Sequence, residues 1–129
     1  HHIKLYVAVA PADPYEMELM ATDLNHPLSY VSANPHKGTL PTEQSLLRLS
    51  GGSAVLSAVS LTRDGSLLVR VYENRGNDTV AQIELAKSAR SAILVDLAEK
   101  ELPGEITVQG KTVQFQVKAN SIAAVKISL

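Results

Sequence analysis

Apolar and polar residues alternate along much of this chain. Ile3, Leu5, Val7 and Val9 alternate with Lys4, Tyr6 and Ala8, the signature of a strand with one buried face. The same period returns over 66–73, where Leu67, Val69 and Val71 share one side and Leu68, Arg70 and Tyr72 the other. Val113, Phe115 and Val117 likewise alternate with Thr112, Gln114 and Gln116. Further strands are expected over 28–31, 46–49, 54–61, 79–85, 92–97, 106–109 and 122–127. The turns between them are explicit: Arg63-Asp64-Gly65, Asn74-Arg75-Gly76-Asn77 and the two-residue Gly110-Lys111 supply residues that accept the backbone angles of tight reversals.

One stretch breaks this rhythm. Asp13-Pro14-Tyr15-Glu16 reads as a helix start, with Asp13 as cap, Pro14 in the first turn and Glu16 at the capping-box position. Asn25 and Pro27 end it after two or three turns. The loop over 32–42 holds Asn34-Pro35, Lys37-Gly38 and Leu40-Pro41, which cannot sustain a ladder of hydrogen bonds. The fold expected is all-β: an antiparallel β-sandwich of about eight to ten strands, each with one dry face, and one short helix near the N-terminus. Leu67, Val69, Val71, Val113, Phe115, Val117, Val125 and Ile127 are the expected core.

At 129 residues, 45% hydrophobic and 19% charged, the chain suffices for one domain with a real core. Its net charge of −1 gives no electrostatic basis for binding nucleic acid or an anionic membrane. With no Cys, a disulfide scaffold, a thiolate nucleophile and thiolate metal sites are excluded. No apolar run reaches membrane-spanning length and no signal-peptide pattern opens the chain, so a soluble protein is expected, with the cytoplasm the favoured compartment. His1-His2 reads as a tag remnant, and residues 3–129 as a single β-sandwich domain excised from a larger multidomain protein.

Candidate chemistry is sparse. His26 and His36 are ten positions apart in turn-like sequence without metal-site spacing, and are read as loop residues. Gly51-Gly52 lacks the Lys-Ser/Thr of a phosphate loop and is read as a turn. Asp13, Glu16, Asp23, Asp64, Glu73, Asp78, Asp96 and Glu99 lie at caps, turns and strand ends. Any two of them meeting in space would be the raw material for glycoside hydrolysis, but solvated turn carboxylates are the default reading. With no Trp and one Phe, Tyr6, Tyr15, Tyr30 and Tyr72 are thin material for a sugar-stacking platform. Asn77-Asp78-Thr79 matches a glycosylation triplet and is read as a turn.

The order of segments carries more information than any one residue. Leu24-Asn25-His26-Pro27-Leu28 precedes a Gly/Pro loop, then come Leu40-Pro41, Ser45-Leu46-Leu47 and Ala54-Val55-Leu56-Ser57-Ala58-Val59. An Asp64-Gly65 turn leads into Leu67-Leu68-Val69-Arg70-Val71-Tyr72-Glu73-Asn74, and the tail runs from Ala92-Ile93-Leu94-Val95-Asp96-Leu97 to Ile122-Ala123-Ala124-Val125-Lys126-Ile127. Over roughly 19–129 this set resembles the C-terminal β domain of family 38 glycoside hydrolases, the retaining α-mannosidases. His26 stands where that family commonly has a second Asn. In the family the catalytic aspartate and the zinc ligands belong to an N-terminal α/β domain. The resemblance therefore implies a non-catalytic accessory domain, with no catalytic residue, metal ligand or cofactor of its own; zinc is expected in the catalytic domain of the parent. Its implied partners are the other domains of the parent, with a loop contacting a mannoside substrate. The alternative is a free-standing Ig-like or fibronectin-like interaction module, or a carbohydrate-binding module.

Overall fold

A computed structural model describes residue 3 and residues 5–129. His1, His2 and Lys4, and with them the tag reading, lie outside the described residues. The chain forms two compact units, His1–Gly38 and Thr39–Leu129.

Among the described residues of the first unit a helix, α1 (Pro14–Asn25), starts where the cap chemistry places it. The Asp13 carboxylate accepts from the Tyr15 amide at 3.0 Å, Pro14 occupies the first turn, and the His26 amide closes the last turn onto the Thr22 carbonyl. None of its residues is buried.

Neither the described residues of 3–9 nor those of 28–31 form the expected strands. Ile3, Leu5, Val7 and Val9 are at least 87% exposed, and Leu28, Tyr30 and Val31 are also bare. Alternation specifies only which face a strand would bury; the strand itself needs a neighbour to take its backbone groups. No such ladder reaches either stretch among the described residues.

The second unit is a sandwich of eight strands: β1 (Leu47–Ser50), β2 (Ala54–Leu61), β3 (Leu67–Glu73), β4 (Thr79–Leu85), β5 (Ser91–Val95), β6 (Ile106–Gln109), β7 (Thr112–Val117) and β8 (Ile122–Ser128). They make two antiparallel sheets in the orders β1-β4-β7-β6 and β2-β3-β8-β5. The expected spans hold to within a residue or two. β5 stops at Val95 because the Asp96 carboxylate turns back to accept from the amides of Ala98 and Lys100, a local bond that competes with the ladder. Glu99, at φ 64°, completes that turn. None of the described helices is long and apolar enough to cross a membrane.

Register shows why the alternation is so regular. Val69 pairs with Val125, and Ile83 with Val113, and residues directly opposite one another point the same way. Val69, Val71, Val125 and Ile127 from one sheet meet Ile83, Val113, Phe115 and Val117 from the other in one fully buried cluster. Seven of the eight expected core residues are buried there. Leu67 is half-buried, packed against the cluster's margin. A smaller cluster of Leu68, Val95 and Ala124 forms separately, so β3 is dry on both sides at that level.

Candidate functional site

The densest polar constellation lies at one end of the sandwich and is built around Glu73. Counting by twos from Val69 and Val71 puts Glu73 on the core side of β3, and it is 3% exposed. Its expected role as a solvated turn carboxylate is therefore corrected: the carboxylate is buried. Three loops converge on it. Ser53, between β1 and β2, donates its hydroxyl to Oε1 at 2.7 Å. From the β3–β4 turn the amides of Arg75, Gly76 and Asn77 donate at 2.7, 2.9 and 3.3 Å. The Asn120 amide, between β7 and β8, donates to Oε2 at 3.0 Å. Burial pushes the Glu73 pKa up, but the bonds from Ser53, Asn120, Arg75 and Gly76 outweigh it and leave the group lowered to about 2.

The backbone around this centre is shaped to admit it. Gly51 and Gly52 both hold positive φ, and a side chain on Gly52 would strike the hydroxyl of Thr79. That hydroxyl accepts from the Ser53 amide at 3.3 Å. Asp78 lies beside the cluster and pairs with Lys118 at 2.7 Å while its second oxygen accepts from the Ala119 amide at 3.0 Å. Lys118 in first place, then Ala119, hold the Asp78 carboxyl below its ordinary range. Thr79 and Asp78, two members of the glycosylation triplet, are thus engaged in the turn, as is Asn77 through its amide and its side chain.

A second polar corner ties the β2–β3 hairpin to β8. Asp64 pairs with Lys126 at 2.6 Å, accepts from the Thr62 hydroxyl, and accepts from the Ser66 amide at 3.2 Å. Lys126, then Thr62, hold its carboxyl well below the usual range.

Chemically, these carboxylates are acceptors already in use. A general acid must hold a proton near neutral pH, and a nucleophile must present a free oxygen. Glu73 is ionised with both oxygens bonded, and Asp64 and Asp78 are ionised in ion pairs. Of the remaining candidates, Asp13 caps α1 and Asp96 forms its own turn. His26 and His36 are exposed and bond nearby carbonyls. Among the described residues no three His, Cys, Asp or Glu gather as a metal set. Tyr6 and Tyr30 are exposed in the first unit, whereas Tyr15 and Tyr72 are half-buried.

The clefts of the sandwich are shallow. One of about 270 Å³ is bordered by Ser45, Arg48, Glu84 and Lys111. Another of about 400 Å³ is apolar, with Leu46, Leu67, Leu85 and Leu129 around it.

The family model described as the glycosyl hydrolases family 38 C-terminal beta sandwich domain matches residues 53–125. That span starts at Ser53 and takes in Glu73 and Asn120, the residues that tie three loops together. No curated protein and no solved structure matches the chain significantly.

Proposed function

Because this chain belongs to the family 38 glycosyl hydrolases, as their C-terminal β-sandwich domain, we propose that it is the non-catalytic accessory domain of a retaining α-mannosidase. In this reading the sandwich packs against the catalytic domain of the parent and brings a loop towards the mannoside. The observation that carries it is the family match over 53–125. The chemistry of the carboxylates supports it. Retaining hydrolysis needs an acid and a nucleophile roughly 5–5.5 Å apart, and the buried or paired carboxylates of the sandwich are committed to holding loops. Zinc, in this reading, is held by the catalytic domain, whose residues bind the sugar and break the bond.

The test is an assay of the 129-residue chain and of its parent on a chromogenic aryl α-mannoside, with and without added zinc. Turnover by the parent and none by the chain is the expected result. Turnover by the chain, abolished by one carboxylate substitution, overturns the accessory role. Inactivity of the parent on mannosides removes the substrate assignment.

A further inference from the structure

The outward side of the sheet β1-β4-β7-β6 is built from rungs that the register sets. Arg48, Glu84, Thr112 and Gln109 lie across the first, Ser50, Gln82, Gln114 and Thr107 across the second, and Val80 faces Gln116 on the third. Their parity is opposite to that of the buried Ile83, Val113 and Phe115, so they stand on the side away from the core. Four of the five glutamines in the chain are on this one face. Its charged residues, Arg48 and Glu84, are opposite in sign and directly across from each other, so the face is neutral. A face kept only for solubility draws on Lys, Arg, Glu and Asp, whereas this one sets amides and hydroxyls side by side. The other sheet differs: outward on it, Leu68, Val95 and Ala124 form an apolar cluster, with Arg70 and Lys126 on the same side.

The central amides are ordered in advance. Gln114 Nε2 donates to Gln82 Oε1 at 2.6 Å, and both side chains are half-buried. That bond leaves the Gln114 oxygen and the Gln82 nitrogen as an acceptor and a donor side by side, already held in place, which lowers the ordering cost of binding. Val80, 48% exposed, adds an apolar contact on the third rung. A cleft closes each end of the track. The one of about 270 Å³ beside Arg48 and Glu84 lies at the first rung, and another of about 280 Å³, with Gln116, Pro103, Glu105 and Lys118 around it, lies at the third. Between them β7 (Thr112–Val117) runs for about 20 Å.

Resting on the accessory-domain reading above, we infer that this face binds a neutral, linear oligosaccharide laid along β7, the part of a mannoside chain beyond the bond that the catalytic domain cleaves. Sugar hydroxyls both donate and accept, and so do the amide and hydroxyl side chains of the rungs. A charged ligand finds no net counter-charge on the face. An extended peptide satisfies its backbone at a sheet edge, not on a face of side chains. The length of the track, with a cleft at each end, suits several sugars in a row and not a single one. None of the rung residues is aromatic, so hydrogen bonds carry the binding, and a handful of neutral ones corresponds to about millimolar affinity.

The test is an NMR titration of the 129-residue chain with a linear, α-linked mannose oligomer, reading the side-chain amides of Gln82, Gln114 and Gln116. Saturable shifts of these amides, with a dissociation constant of about 1 mM, are the expected result, and methyl α-mannoside should bind severalfold more weakly. Gln114→Ala and, separately, Gln116→Ala should each weaken the oligomer severalfold while the rest of the spectrum stays folded. Ser60→Ala, outward on the other sheet, serves as control. No saturable shift at about tenfold that concentration, shifts confined to other residues, or unchanged affinity in both Gln variants overturns the inference. An uncharged Ser/Thr-rich peptide is the competing occupant, and shifts from it with none from the sugar also overturn the proposal. The titration needs no catalysis, so its failure and that of the accessory reading, which the activity assay decides, are read separately.

Discussion

The Ser53 hydroxyl donates to the buried Glu73 carboxylate at 2.7 Å, across 20 positions of sequence. That bond fastens the turn before β2 to the end of β3, and Asn120 adds the β7–β8 turn from 47 positions away. One carboxylate thus fixes three loops that belong to both sheets.

Removing part of this centre should loosen all three loops. Ser53→Ala leaves an acceptor short of one donor and should cost about 1–2 kcal/mol in urea unfolding. Glu73→Gln keeps the shape but cannot accept from all five donors, so its loss should exceed that of Ser53→Ala and of Lys118→Ala. A Glu73→Gln variant as stable as the original would show that the cluster is incidental.

Acid stability follows from the same group. The Glu73 pKa is lowered from 4.5 to about 2 on folding, and those of Asp64 and Asp78 are lowered too. The unfolded chain therefore takes up protons first as pH falls. The stabilisation is complete above 4.5 and is lost progressively as pH drops from 4.5 through about 2. Thermal midpoints measured across that window should fall steadily, and Glu73→Gln should flatten the slope. A midpoint independent of pH there would contradict the assignment.

Phe115, the only Phe, is 2% exposed among Ala81, Ile106 and the valines of the core. Phe115→Ala should cost about 3–5 kcal/mol, through lost transfer energy and the cavity left behind. Denaturant titration giving under about 1 kcal/mol would place this ring outside the core.

Two glycines separate backbone strain from collision. Gly65 sits at φ 80° with open space around it, whereas Gly52 sits at φ 58° against Thr79. Gly65→Ala should cost about 1 kcal/mol, the conformational term alone. Gly52→Ala should cost clearly more, because Thr79 must also move and release the Ser53 amide. Equal losses in parallel melts would mean that the Gly52 turn relaxes freely.

What the sequence determined by itself was local. Period-two alternation located β1 to β8, since a strand flanked by turn residues declares its own buried face. Asp13 and Pro14 declared the helix start because a cap acts over three residues. The order of segments from Leu24 to Ile127 was enough to point to family 38. Only the tertiary structure decided which alternating stretches found partners: 54–61 lies beside β3, while 3–9, no less regular, has no ladder among the described residues. Glu73 shows the same division. Its parity with Val69 and Val71 was readable, but a carboxylate on the core side of a strand becomes a stable centre only when Ser53, Arg75, Gly76, Asn77 and Asn120 arrive from three loops. Donors that far apart in sequence leave no periodic trace, because their spacing reflects where the chain returns and not how any one segment folds. The glutamine face across β4, β6 and β7 belongs to the same class, since its rungs exist only once register is set.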